Sequence, residues 1–202
     1  MRKLGKLDNN PPKKEAPDEP DPSTLGFGDA KFWEDRYAKA GEATFDWLES
    51  YDTVKDYLGM FMPSPDIKIM IPGCGNAEFS EDLYDAGYEY QWNNDISESV
   101  IEQMAERNKD SRPNMKWLVM DITDMSEFES NYFDLIIDKG TMDALLCGND
   151  AYLKVAKMLK ESQRILKPGG HFFFISYGTP EAREYHFETP FLSFENGQTE
   201  IC

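Results

Sequence analysis

Short apolar runs alternate with segments of helical periodicity along most of the chain. Runs rich in β-branched and aromatic residues, bounded by glycine, proline or polar residues, are typical of buried strands. Five such runs occupy 67–71, 88–95, 116–120, 133–137 and 171–176. Apolar residues three or four positions apart predict helices over Lys31–Ala40, Tyr51–Phe61, Ala77–Ala86, Glu98–Asn108 and Ala151–Leu166.

This alternation predicts an α/β fold. The connections between successive strands are too long for hairpins, so the strands are expected to lie parallel and to be joined by crossover helices. We expect a Rossmann-like, doubly wound, mostly parallel sheet with helices on both faces and ligands at the carboxyl ends of its strands. The residues after Tyr177 supply at most one further strand.

The first predicted strand stops in a glycine-containing turn, IPGCGN, at residues 71–76. Gly73 and Gly75 have no Cβ and tolerate positive φ, so the backbone there can approach a ligand closely. The helix that follows offers unpaired N–H groups at its start. A lone Gly-x-Gly is as consistent with a bare strand-to-helix turn as with a ligand site, and both interpretations stay open on this motif alone.

Carboxylates follow the next three predicted strands. Asp95 comes twenty residues after Gly75, the spacing at which an acidic side chain in such folds accepts the hydroxyls of a ribose. Asp121, together with the backbone N–H of Ile122, could pair with an adenine edge. Asp138 follows the fourth strand. Because parallel strands end at one edge of a sheet, these carboxylates are expected in one cleft.

The turn lacks the third glycine of the dinucleotide fingerprint. Glu78 stands in its place, and a carboxylate there repels a pyrophosphate. A ligand with a ribose, an adenine and a positive sulfonium, but no phosphate, fits acidic surroundings. S-adenosylmethionine is therefore the predicted cofactor.

Composition and charge indicate one globular domain with an unusual first segment. The 202 residues are 40% hydrophobic, and the formal net charge is −17. Residues 1–28 are rich in proline and charge and read as a flexible or partner-bound arm, whereas 29–202 read as the folded domain. The acidic balance disfavours nucleic acid and favours a basic partner, although solubility alone explains it equally well.

Three widely spaced cysteines and two histidines form no pattern typical of a disulfide framework or a metal site. A reducing compartment and a cytoplasmic location fit best. No apolar run approaches the roughly 18 residues of a membrane span. We predict no metal, no membrane association and no targeting peptide.

Aromatic residues crowd the segment before the first strand. Phe32, Trp33 and Tyr37 lie on one predicted helix, and Trp47 follows in TFDWLES. Such rings are more often core than ligand contacts. A lid over a flat ligand is the alternative.

The run FDLIIDKGTMDALL at 133–146, with IPGCGN, FWEDRY and FDWL, resembles the seven-stranded methyltransferases of the elongation factor 1A lysine methyltransferase group. The likeness extends from Phe32 to Ser176. It implies S-adenosylmethionine as cofactor, with the methionine part at Gly73 and Lys139 at the end of the fourth strand. The remaining cofactor contacts that the resemblance implies are Trp33, Tyr37 and Trp47, Asp95 and Ile96 at the ribose, and Asp121 and Ile122 at the adenine.

The resemblance also implies an acceptor site. Asp138 or Asp143 would orient the acceptor amine, although Asp143 could equally be the N-cap of the short helix DALL. The final antiparallel hairpin of the seven-stranded sheet is expected to be incomplete. The leading hypothesis is methylation of a lysine on a basic protein surface. The alternatives are an inactive methyltransferase-like subunit of a larger assembly, with residues 1–28 along a partner, and a small-molecule methyltransferase.

Overall fold

The computed structural model describes residues 26–41 and 43–194. Of the predicted arm, residues 1–25 therefore lie outside the described residues, and 26–28 form a turn. The elements in chain order are α1 (Ala30–Ala40), α2 (Tyr51–Gly59), β1 (Ile69–Pro72), α3 (Phe79–Asp85), β2 (Gln91–Asp95), α4 (Glu98–Asn108), β3 (Lys116–Val119), β4 (Phe133–Lys139), α5 (Thr141–Leu146), α6 (Ala151–Ile165), β5 (Leu166–Ile175) and α7 (Pro180–Phe187).

The five strands form one parallel sheet in the order β3-β2-β1-β4-β5. The chain first builds outward from β1 through β2 to β3, and then returns to the other side of β1 for β4 and β5. The strand order thus reverses between β1 and β4, which is where doubly wound sheets open a crevice for a ligand. The predicted fold class is confirmed.

Helices cover both faces of this sheet because neighbouring residues of a strand point to opposite sides. Ile69 and Ile71 of β1 pack with α2 and α3 in one fully buried cluster. Met70, between them, packs with Ile165 at the end of α6 in a second cluster. The central strands are buried on both sides, as their nearly continuous apolar sequence requires.

Most predicted elements occur where the pattern placed them, and α4 shows why. Ser97 is its N-cap, with the side-chain oxygen accepting from the N–H of Val100 at 3.3 Å. This capping bond fixes the predicted start of the helix at Glu98. In the described ranges, no helix has both the length and the apolar composition needed to cross a bilayer.

The chain after α6 departs from the prediction in two places. The predicted helix end at Leu166 is wrong, since Leu166 pairs with Phe133 and already belongs to β5, with a register irregularity next to that pair. The KPGG segment therefore lies inside the strand. In the described residues 178–194 the chain forms helix α7, which the sequence did not predict, because Pro180 opens the helix and His186 and Phe187 on its inner face pack against the body.

Candidate cofactor and acceptor site

A cavity of about 550 Å³ lies at the carboxyl ends of β1, β2 and β4. The sequence-predicted residues that line it are Trp33, Tyr37, Trp47, Gly73, Gly75, Asp95, Ile96, Asp121, Ile122, Lys139 and Asp143. Asp138 is the one predicted residue that is not part of its lining. The topology therefore brings together residues from positions 33 to 143, as expected of a site at a topological switch point.

The glycine turn forms the floor of this cavity in a conformation that suits glycine. Gly73 and Gly75 have φ of 60° and 56°. A Cβ on Gly75 would lie 2.6 Å from the hydroxyl oxygen of Tyr37, and a Cβ on Gly73 would overlap the side chain of Thr141. Both glycines are thus required by backbone geometry and by close neighbours.

Asp95 connects this turn to the start of α4. Its Oδ2 accepts from the N–H of Gly75 and its Oδ1 from the N–H of Ser97, each at 3.0 Å. Burial raises the pKa of Asp95 to about 6, and these backbone donors oppose the rise. The carboxylate is therefore held in a fixed orientation at the cavity wall, where it can accept further hydrogen bonds.

The loop after β3 supplies the opposite side. Asp121 is exposed and accepts from the N–H of Thr123 at 2.8 Å, which fixes the loop as a turn. Ile122 is buried with α6, whereas Ile96, after β2, is 40% exposed. These residues provide flat apolar contacts beside the two carboxylates.

Aromatic rings form the wall contributed by α1 and the segment after it. The Trp33 ring stacks on Tyr37 with centroids 5.9 Å apart and meets Trp47 edge-on at 6.0 Å. The indole N–H of Trp33 donates to the carbonyl of Phe27 at 2.6 Å, and the Phe27 ring also lines the cavity. Tyr37 is buried, whereas Trp33 and Trp47 are partly buried, and all three line the cavity. The core and lid interpretations therefore both describe this wall in part. The sequence pattern did not indicate that Phe27 belongs to this site.

Glu34 anchors α1 against α4 and so holds this aromatic wall in place. Its carboxylate accepts from the hydroxyl of Ser97 at 2.6 Å and from the hydroxyl of Ser99. These donors lower the pKa of Glu34. Sequence reasoning missed this residue, because its partners lie more than sixty positions away.

Lys139 closes the cavity between β4 and the aromatic segment. Its ammonium forms an ion pair with Asp46 and donates to the carbonyl of Trp47 at 2.6 Å. Burial lowers the pKa of Lys139, and the hydrogen bond to Asp46 opposes that change. Lys139 thus ties the segment carrying Trp47 to the end of β4, and Asp46 is a site residue that the sequence did not single out.

Asp138 lies behind the wall and holds the start of α5. Its two oxygens accept from the N–H groups of Thr141 at 2.8 Å and Met142 at 3.1 Å. Burial raises the pKa of Asp138 to about 7. The suggestion that Asp143 is the N-cap of this helix is wrong, because α5 begins at Thr141 and Gly140 occupies the capping position.

Asp143 also lines the cavity. Its Oδ1 accepts from the hydroxyl of Ser176 at 2.6 Å and from the guanidinium of Arg183 at 2.7 Å, and its Oδ2 accepts from the N–H of Tyr177 at 2.7 Å. Arg183 belongs to α7 and also lines the cavity. The ion pair between Arg183 and Asp143 therefore connects α7, which the sequence did not predict, to a carboxylate that was predicted at the acceptor site.

The residues present fit S-adenosylmethionine. The cavity volume of about 550 Å³ lies within the range of roughly 300–1,000 Å³ that is typical of small-molecule sites. Aromatic faces attract a sulfonium cation, and Asp95 is placed to accept ribose hydroxyls next to a turn with no room for side chains. Among the described residues, three cations line the cavity. Lys139 and Arg183 are paired with carboxylates of the chain itself, and Lys154 is the third. Fold and site together define an α/β protein that binds a phosphate-free adenosine cofactor.

Comparison with known proteins identifies the family. The methyltransferase-domain family matches residues 71–174, from β1 into β5. This is just over half of the chain, which therefore belongs to that family. The prediction of S-adenosylmethionine as cofactor is confirmed by the family.

Individual relatives agree with this assignment. The eEF1A lysine and N-terminal methyltransferase of Mus musculus is 41% identical over 156 residues, covering 76% of this chain and 22% of that protein. The EEF1A lysine methyltransferase 4 of Bos taurus is 28% identical over 185 residues, covering 87% of this chain and 71% of that protein. The PH0226 protein of Pyrococcus horikoshii superposes with a TM-score of 0.52 at 31% identity, over 61% of this chain and 55% of its own. The predicted resemblance is confirmed, and the chain spans about a fifth of the length of the first of these relatives.

Proposed function

We propose that the chain transfers the methyl group of S-adenosylmethionine to a lysine side chain of a protein. The observation that carries the proposal is the cavity, whose one lining includes the glycine turn and Asp95 together with Asp143 and Tyr177. The two relatives named as eEF1A lysine methyltransferases support a protein lysine as the acceptor. Their acceptor, eEF1A, is the first protein to test.

The cofactor, when bound, supplies an activated methyl on a sulfonium. Methyl transfer needs no covalent enzyme nucleophile, so the chain's contribution is orientation of donor and acceptor. Asp95 and the Gly73–Gly75 turn would hold the ribose and methionine parts. Trp33 and Trp47 would exclude water and face the positive sulfonium.

A lysine acceptor must lose a proton before it can attack. The apolar walls would lower the pKa of an ammonium that enters them, because desolvation disfavours the charged form. Asp143 is the predicted acceptor carboxylate that lines the cavity, and Arg183 already neutralises it. We therefore propose that Asp143 orients the acceptor end of the cavity, and that Asp138 acts through α5 as a positioning residue.

Two measurements on the full chain test this function. Titration with S-adenosylmethionine in a calorimeter should show binding, and incubation of chain, cofactor and eEF1A should add methyl groups to a lysine, read by mass spectrometry of peptides. Absence of cofactor binding would refute the proposal. Cofactor binding without methylation of any protein would favour the alternative of an inactive interaction subunit.

We also propose a cytoplasmic location, supported by the cysteine pattern. An assembly partner along residues 1–28 stays a proposal. Cell fractionation tests the first, and affinity purification with and without residues 1–28 tests the second.

A further inference from the structure

Exposed aromatic rings gather where α6 begins, β5 ends and α7 runs. Tyr152, Tyr177 and Tyr185 are 68%, 86% and 66% exposed. The Tyr152 ring meets Tyr185 edge-on, with centroids 6.5 Å apart, and stacks on His186 at 5.6 Å. The exposed rings of Tyr152 and Tyr185 therefore pack on each other and on the buried ring of His186.

Helix α7 presents carboxylates beside these rings. Arg183 and Phe187 face inward, to Asp143 and the apolar cluster below α6. Glu181, in the first turn of α7, and Glu188, at its C-terminal capping position, are exposed. They lie four positions before and three positions after Tyr185, so all three are on the outer side of this segment. The outer face of the helix is thus acidic and aromatic.

This surface is continuous with the cavity. Tyr177 and Arg183 line the cavity and also belong to its rim. Asp150 is exposed directly before α6, whereas Lys154 is the α6 cation on the rim. Asp150, Glu181 of α7 and Glu188 directly after α7 outnumber this lysine and leave the rim negative, because the charge of Arg183 is already paired with Asp143.

We propose that the surface formed by Tyr152, Tyr177, Tyr185, Glu181 and Glu188, here called the rim surface, binds a basic segment of the methyl-acceptor protein and leads one lysine into the cavity. The proposal rests on the proposed function and names the residues that recognise the acceptor. Lysine and arginine bind over aromatic faces and pair with carboxylates, so this chemistry suits a cationic segment.

Other occupants fit less well. A second copy would bring the same carboxylates and a net charge of −17 against the surface. Residues 195–202 contain two glutamates and neither lysine nor arginine. A basic partner complements the charge of the rim surface.

The test compares variants of the full chain in steady-state methylation of eEF1A at saturating S-adenosylmethionine. The double variant Tyr152→Ala/Tyr185→Ala should raise the KM for eEF1A about tenfold or more, as loss of an aromatic anchor does, with kcat and cofactor affinity unchanged. Glu181→Gln/Glu188→Gln should raise KM and weaken its dependence on salt. Tyr90→Ala is the matched control, since Tyr90 is exposed directly before β2, at the amino end of the strand and away from the cavity at the carboxyl ends.

A second experiment identifies the occupant directly. Tyr185 is replaced by the photo-crosslinking residue p-benzoylphenylalanine, and the crosslinked peptide is sequenced by mass spectrometry. Crosslinks to a lysine-containing segment of eEF1A support the proposal. Crosslinks to a second copy or to residues 195–202 overturn it, as does an unchanged KM in folded Tyr152→Ala/Tyr185→Ala that binds cofactor normally.

The outcomes separate this inference from the proposed function. If eEF1A is methylated and the rim variants keep their KM, the function stands and the inference fails. If eEF1A is not methylated, a fluorescein-labelled Lys-Gly repeat peptide still reads the surface. It should bind more weakly to Tyr152→Ala/Tyr185→Ala than to Tyr90→Ala, and equal binding would overturn the inference.

Discussion

Replacing Gly75 by alanine tests whether the glycine turn is fixed by Tyr37. Gly75 has a φ of 56°, and an added Cβ would lie 2.6 Å from the Tyr37 hydroxyl oxygen but 3.5 Å from its ring carbon Cζ. Tyr37 cannot move freely, because it is 6% exposed and stacked on Trp33. The substitution therefore combines backbone strain with an overlap that depends on one oxygen atom.

The two contributions can be estimated separately. Positive φ costs a residue with a Cβ about 1–2 kcal/mol, and overpacking a filled site costs about 1–3 kcal/mol more. Gly169→Ala carries a similar strain without the overlap, since its φ is 80° and nothing lies within 4 Å of the added Cβ. A kcal/mol shifts the Tm of a chain of this size by roughly 2–4 °C, so the overlap corresponds to about 2–12 °C.

The assay is urea unfolding of four proteins: the wild type, Gly75→Ala, Tyr37→Phe, and the double variant. Tyr37→Phe removes the overlapping oxygen and leaves Cζ in ordinary contact, so it should recover the overlap part of the loss. A coupling of about 1–3 kcal/mol is expected between neighbours of this kind. If Gly75→Ala costs the same with and without Tyr37→Phe, the overlap is not the cause and the reasoning is refuted.

Three further substitutions test the carboxylates. Asp95→Asn should weaken S-adenosylmethionine binding roughly 10- to 100-fold, since a hydrogen bond to a charged group is worth about 1.5–3 kcal/mol. In calorimetry, the affinity of the wild type should rise as the pH passes about 6, where Asp95 ionises. The affinity of the variant should not change over the same pH range. Asp46→Asn leaves the buried Lys139 ammonium without its carboxylate. Because a hydrogen bond to a charged group is lost, cofactor dissociation measured by stopped-flow tryptophan fluorescence should become about tenfold faster. An unchanged dissociation rate contradicts the role given to this ion pair. Burial raises the pKa of Asp138 to about 7, whereas an aspartate in the unfolded chain has a pKa of about 4. The folded chain therefore holds this proton more tightly, and the stability that results is full below about pH 4 and is lost as the pH rises through about 7. In urea unfolding, Asp138→Asn should lose less stability over that pH window than the wild type.

The fold was predictable from sequence because its signals are local. The apolar run before Pro72, the glycine turn and the Ser97 cap each act within a few residues, and the crossover rule converts their order into a parallel sheet. The place where KPGG enters β5 was not predictable, since glycine and proline usually end an element. Pairing of Leu166 with Phe133 across the sheet overrides that tendency.

For the site, the sequence by itself determined which residue types follow which strands, and hence the prediction of an adenosine-like cofactor near Gly73, Gly75, Asp95 and Asp121. Only the tertiary structure decided what each carboxylate does. Asp138 and Asp143 are five positions apart, yet one is buried under α5 and the other is held by Arg183 at the cavity. Side-chain direction and partners from distant segments separate them, and neither is encoded in local periodicity. The same holds for α7, whose inner face is defined only by the surface on which it packs.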